Sequence, residues 1–190
     1  MKYDKESYIT SATDPINWKD HVNVKTLKEC ANIIHGDVLD IGCNHGATTY
    51  WLKDFNVNSI TGLDINAVAL EYAKKLFSKI SIPNKFIDLD LTTNILDESF
   101  DTIISFHTLE HIYLEDVDTF ISNIYSMLKN DGHLIIGLPY ETAYYDPCHV
   151  AFYNEHSLNE LMTRNSFKIV KSFKDDRWNE KNILTGIYSK

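Results

Sequence analysis

The stretch Val38-Leu39-Asp40-Ile41-Gly42-Cys43-Asn44-His45-Gly46 joins a short apolar run to two glycines, with a carboxylate just ahead of the first. Glycines there let the main chain approach a ligand where a Cβ would intrude, and N–H groups opening a following helix suit a carboxylate or phosphate. The spacing G-x-x-x-G is not the dinucleotide fingerprint G-x-G-x-x-G. No Gly-Lys-Ser/Thr follows, so it is not a phosphate loop either. Asp64 closes a second run, Ser59-Ile60-Thr61-Gly62-Leu63. An acid in that place accepts hydrogen bonds from both hydroxyls of a ribose and repels a 2′-phosphate. Together these residues ask for a ribose and a carboxylate without a pyrophosphate, a combination that S-adenosylmethionine has.

Two further groups could do chemistry. His107-Thr108-Leu109-Glu110-His111 fits H-x-x-E-H, a zinc-protease pattern that requires a helix and a third ligand downstream. Here the residues directly follow a buried apolar run, so no metal is expected. Glu110 and His111 are expected to pin a loop. The second group is Tyr144-Tyr145-Asp146-Pro147-Cys148-His149-Val150-Ala151-Phe152-Tyr153. An imidazole titrates near 6.5, so His149 could take a proton from a substrate hydroxyl, or anchor its loop through its ring nitrogens. Cys43 and Cys148 lack a paired base and are read as bystanders.

The elements that must position these residues alternate. Strands are expected at Val38–Ile41, Ser59–Asp64, from Lys85, at Phe100–Phe106 and at His133–Leu138, the last closed by Pro139. Between them, helical spacing covers Thr48–Phe55, Ala67–Ile80 and Leu114–Lys129, with Asn130-Asp131-Gly132 as a stop signal. Strands apolar on both faces and separated by helices call for a parallel sheet with helices on either side. After an irregular aromatic loop, Tyr140–Phe152, a helix is expected at Glu155–Arg164. Strands at Phe167–Val170 and Ile183–Tyr188 then form an antiparallel hairpin around the polar segment Lys174–Asn182.

From about Val38 to Tyr188 the chain resembles a class I S-adenosylmethionine-dependent methyltransferase of the small type found in glycan and quinone pathways. The likeness rests on five motifs in order: Asp40 to Gly46, Gly62-Leu63-Asp64-Ile65-Asn66, Leu89-Asp90-Leu91, Ser99 to Ile112, and Leu128 to Ile136. It departs from the family at Asn44, which replaces a glycine but tolerates positive φ, and at Asn130, which replaces a proline. The resemblance implies an α/β fold: a Rossmann-like, doubly wound, seven-stranded sheet, mostly parallel, with an antiparallel C-terminal hairpin and helices on both faces. It also implies that S-adenosyl-L-methionine is the cofactor and S-adenosyl-L-homocysteine the product. Cofactor contacts would come from Asp40, Gly42, Cys43, Asn44 and Gly46, from Asp64 and Ile65, from Asp90 and Leu91, and from Phe106 and His107. Asp88 competes with Asp90, because alternation puts both on one face of a strand. Substrate contacts would come from Tyr144, Tyr145, His149 and Phe152, with His149 as the candidate general base.

The implied reaction is methyl transfer to a hydroxyl of a small polar metabolite or glycan sugar. A quinone-type phenol and a tRNA base are the alternatives within that class. A non-catalytic S-adenosylmethionine-binding regulatory subunit is the alternative outside it, and the missing fingerprint disfavours a nucleotide-binding oxidoreductase.

Composition sets the bounds. The 190 residues carry 18 Lys+Arg against 27 Asp+Glu, a formal charge of −9, with the acid excess before Arg164 and a basic remainder. An acidic body repels phosphate backbones, which disfavours a nucleic-acid partner. No apolar run reaches the ~20 residues of a membrane span, and the N-terminus lacks a secretory leader, so a cytoplasmic location is expected. Three cysteines without a C-x-x-C pair argue against a disulfide framework or structural zinc. One domain is expected over 1–190: an N-terminal arm or lid at 1–24, whose Tyr3, Tyr8 and Trp18 need something to cover, and a core at 25–190. Oligomeric state is not legible in the sequence.

Overall fold

The apolar runs assemble into one seven-stranded sheet in the order β3-β2-β1-β4-β5-β7-β6. The structure, a computed structural model, describes residues 15–140, 146–175 and 183–190. The strands are β1 (His35–Ile41), β2 (Asn56–Asp64), β3 (Asn84–Asp88), β4 (Phe100–Phe106), β5 (Leu128–Pro139), β6 (Lys168–Asp175) and β7 (Ile183–Ser189). β1 to β5 run parallel, whereas β7 is antiparallel to both β5 and β6. Side chains alternate across the sheet, so consecutive residues feed different cores. Leu39, Ile103 and Leu134 join the cluster under α3 (Val117–Met127) and α4 (Glu155–Arg164). Val38, Ile104 and Ile135 join the opposite cluster with α1 (Val22–Glu29) and α2 (Ala67–Phe77). This is the doubly wound arrangement expected, and it opens a crevice at the carboxyl ends of the strands where the order reverses between β1 and β4.

Several elements differ from expectation. The segment after the glycine loop is a six-residue 3-10 helix, Thr49–Asp54, rather than an α-helix over Thr48–Phe55. Helix α3 stops at Met127, because Leu128 already pairs with Phe100 of β4. Asn130-Asp131-Gly132 therefore marks a bulge inside β5: Leu128 faces Phe100, yet His133 faces Thr102. The bulge lets Lys129 Nζ reach Asp101 (2.8 Å) and Asp37 (3.2 Å). β3 ends at Asp88, so Asp88 and Asp90 do not share a strand face. The boundary drawn between residues 24 and 25 falls inside α1, whose Val22, Val24 and Leu27 are buried. Tyr3 and Tyr8 lie outside the described residues. Trp18 stacks on His21 (ring centroids 4.2 Å) and meets His45 edge-on at 6.0 Å.

Three alternate residues of the glycine loop take the left-handed region: Gly42 (φ 74°), Asn44 (φ 49°) and Gly46 (φ 84°). Asn44 holds it in place of a glycine, as expected. A Cβ on Gly42 would run into the Thr108 side chain, and one on Gly46 would press on Ala73 at 3.2 Å. The glycines are thus required by backbone conformation and by packing within the chain. Gly42→Ala is expected to cost about 2–4 kcal/mol, from left-handed strain and displacement of Thr108, read by equilibrium urea unfolding.

Candidate functional site

A cavity of about 750 Å³ opens at the carboxyl edge of β1, β2, β4 and β5, within the ~300–1,000 Å³ typical of small-molecule sites. The end of β1 delivers Asp40, which is 3% exposed, and Thr49 Oγ1 donates to its Oδ2 at 2.5 Å. The end of β2 delivers Asp64, which is 8% exposed. Its Oδ2 accepts from the N–H of Asn44 and its Oδ1 from the N–H of Asn66, both at 2.8 Å. A carboxylate has about four lone-pair sites, so capacity remains on both oxygens. Burial, with the charge of Asp64 added and the Thr49 hydroxyl opposing, pushes Asp40 up to about 7. Burial also raises Asp64, against backbone donors from Asn66, Asn44 and Ile65. Two buried carboxyls thus stand close together at this end of the cavity, each favouring its neutral form more than an exposed acid does.

Most expected contacts converge here. Asp40, Gly42, Cys43 and Asn44 line the cavity, as do Asp64, Ile65, Asp90, Leu91, Phe106 and His107. Gly46 does not; it packs on α2 instead. Of the two competing acids, only Asp90 lines the cavity, held in a turn where its Oδ1 accepts from Thr92 N–H (2.9 Å) and Oγ1 (2.7 Å). The loop's N–H groups are largely used within the chain. Gly42 and Cys43 donate to Leu63 O, Asn44 to Asp64 and Gly46 to Cys43 O, so the donors expected for a carboxylate are engaged. Phe106 closes over Gly137, where a Cβ would strike its ring, and His107 takes φ 53° while its N–H donates to Gly137 O at 2.7 Å. Burial drives the Cys43 thiol well above its usual range, so it is no nucleophile.

Of the expected substrate contacts, one lines the cavity among the described residues. His149 lines the cavity; Phe152 does not and is 48% exposed, and Tyr144 and Tyr145 lie outside the described residues. The loop carrying His149 is tied to the turn after β4, because Val150 and Ala151 both donate to Glu110 O. His111 Nδ1 faces Cys148 O at 3.1 Å, and its ring meets that of His149 at 5.0 Å, nearly perpendicular. Glu110 is 2% exposed, and neither carboxylate oxygen has a hydrogen-bond partner. His107 Nδ1 lies 3.4 Å from Oε1.

Trp18, from the expected N-terminal arm, lines the cavity, and sequence reasoning missed that His21, Asn23 and His45 line it too. Burial, with the neighbouring His107 adding, lowers His21 to about 4, and burial lowers His45, so both rings are neutral near pH 7. A His-x-Asn pair opening a short helix carries no chemical signature in sequence, and only proximity reveals it.

Residues 39–136 match a protein-family model described as a methyltransferase domain. A tRNA U34 carboxymethyltransferase of Nautilia profundicola is 29% identical over 128 residues, covering 63% of this chain and 39% of that protein. A malonyl-[acyl-carrier protein] O-methyltransferase of Acetivibrio thermocellus is 31% identical over 99 residues, 52% of this chain and 34% of that one. The matched stretches thus span only about a third to two fifths of these relatives. The fold is similar to that of the N-methyltransferase NodS from Bradyrhizobium japonicum, solved with S-adenosyl-L-homocysteine, at 20% identity and a TM-score of 0.76, covering 95% of this chain and 93% of that one.

Proposed function

The chain belongs to the methyltransferase domain family, and from that premise we propose that it transfers a methyl group from S-adenosylmethionine to a hydroxyl of a small polar metabolite or glycan sugar. The observation that carries the reading is the buried pair Asp40 and Asp64 beside the glycine loop. When bound, S-adenosylmethionine supplies a methyl group already activated on a sulfonium. The protein's work is alignment and exclusion of water. Asp64 has lone pairs left for a ribose diol, and Asp40 offers a carboxylate to the ammonium group. Ile65 and Leu91 provide apolar walls for a flat base, and Asp90 an acceptor for its amino group. Trp18 and His21 close the mouth. On the acceptor side His149 takes the hydroxyl proton in the metal-free protein.

The acid excess and a cavity of about 750 Å³ support a small acceptor. The named activity of the Nautilia relative supports keeping a tRNA base as the second reading. Isothermal titration with S-adenosylmethionine and with NAD, followed by a screen of nucleotide sugars, phenols and tRNA scored by S-adenosylhomocysteine release, tests both. Binding of NAD with no response to S-adenosylmethionine overturns the proposal. Asp64→Asn is expected to weaken S-adenosylmethionine about 10- to 100-fold in the same titration, since charge-assisted hydrogen bonds contribute roughly 1.5–3 kcal/mol each.

A further inference from the structure

We propose that Glu110, His111 and His149 bind a divalent first-row transition cation at the acceptor end of the cavity. The three side chains offer one ligand atom each, all within 4.8 Å of one another, and all three residues line the cavity. Their arrangement is the one the sequence pattern lacked: Glu110 and His111 sit in a 3-10 turn, Leu109–His111, and the third ligand comes from a loop 38 positions further on. Ligand atoms about 2.1 Å from a tetrahedral zinc lie roughly 3.4 Å apart, so inward shifts of about 1 Å close the set.

The second observation is the state of Glu110. A carboxylate that is 98% buried, with no hydrogen-bond partner on either oxygen, is costly to maintain, by several kcal/mol. A contact of 3.4 Å from one His107 nitrogen offsets little of that cost. A dication cancels it. The imidazoles are also prepared for the role. A carbonyl oxygen only accepts, so His111 Nδ1 donates to Cys148 O, and Nε2 is the ring atom offered to the cation. That outer hydrogen bond is the usual companion of a metal-bound histidine. Asp146 Oδ1, taking the Cys148 N–H at 2.9 Å, braces the same loop. Two imidazoles with one carboxylate select zinc, cobalt, iron or manganese over magnesium and calcium, which prefer all-oxygen sites.

What the cation does rests on the methyltransferase reading; that it binds does not. An acceptor hydroxyl at an open position of the ion is acidified and loses its proton to solvent water. Its oxygen then forms a bond to the methyl carbon as the carbon–sulfur bond breaks, the electron pair leaving on sulfur to give a neutral thioether. In that state His149 is a ligand and no longer a base.

Cobalt(II) added to the chelator-stripped full-length chain tests the site. The expected result is visible d–d absorption that saturates at one ion per chain, is displaced by zinc and is unaffected by magnesium. Glu110→Gln and His149→Ala should each weaken cobalt by more than the ~10–100-fold that loss of an outer-shell partner causes. His149 is only half-buried, which keeps one variant independent of the core. Absence of the bands in the wild type, or bands undiminished in both variants, overturns the inference. S-adenosylmethionine binding is titrated in parallel without metal. Its presence in a chain that takes no cobalt overturns the metal site and leaves the proposed function standing; the reverse pattern supports the metal site and removes the function.

Discussion

His149→Ala is expected to lower turnover on a hydroxyl acceptor by about 100-fold or more while S-adenosylmethionine affinity stays within about twofold. The two halves of that expectation come from where the residue sits. His149 shares the cavity with the cofactor-side carboxylates but belongs to a separate loop, anchored through Val150 and Ala151 to Glu110 O. Removing an imidazole there leaves the glycine loop, Asp40 and Asp64 in place, so kcat falls and cofactor binding does not. The measurement is kcat and KM for the best acceptor alongside calorimetric cofactor affinity. Chelated and metal-loaded enzyme then separate the two roles of the ring. In chelated enzyme the loss is that of a base, and added imidazole restores part of the rate. In metal-loaded enzyme the loss accompanies that of the ion, and imidazole alone does not substitute. Unchanged turnover in both would make His149 a loop anchor.

The central sheet was legible because its strands are apolar on both faces and bounded by glycines, and because Asp40 and Asp64 end theirs, where ligands bind in such sheets. Helix α4 matched expectation to the residue, Glu155–Arg164, since Asn154 caps it through the Ser157 N–H (2.9 Å), a pairing visible in sequence. What sequence could not resolve involved competition between local and distant partners. Asn130-Asp131-Gly132 is a sound helix stop, yet tertiary pairing of Leu128 with Phe100 ended α3 earlier and turned the signal into a bulge. Glu110 and His111 looked like loop pins, and His149 like a base or a loop anchor, because their grouping depends on the loop's return across the crevice. No periodicity encodes a return. The glycines were read correctly in type and differently in reason: Thr108 and Ala73, residues far off in sequence, occupy the space a Cβ would need.

Asp40→Asn is expected to stabilise the fold at pH 8 by about 2–4 kcal/mol, to leave stability at pH 4 nearly unchanged, and to weaken the cofactor. The carboxyl ordinarily titrates at 3.8, and burial lifts it to about 7 in the folded chain. Below pH 4 both folded and unfolded states hold the proton, and the group contributes nothing. Between about 4 and 7 the unfolded chain releases a proton that the folded chain keeps, so stability falls as pH rises, by up to about 1.4 kcal/mol per unit. Above 7 the penalty is fully present. An asparagine accepts the Thr49 hydroxyl in the same place and has nothing to titrate. Urea unfolding at pH 4 and pH 8 should therefore show a wild-type decline steeper than that of the variant, in which Asp64 alone of the pair still titrates. If Asp40 meets the cofactor's ammonium as proposed, binding returns it to its charged form, and binding near pH 6.5 should release a proton, seen as a calorimetric enthalpy that changes with the buffer's ionisation enthalpy. The variant should bind at least about tenfold more weakly and release none. Parallel pH–stability curves for the two proteins would mean that Asp40 is ionised without a ligand, and the carboxyl pair would then be a solvated turn rather than a cation site.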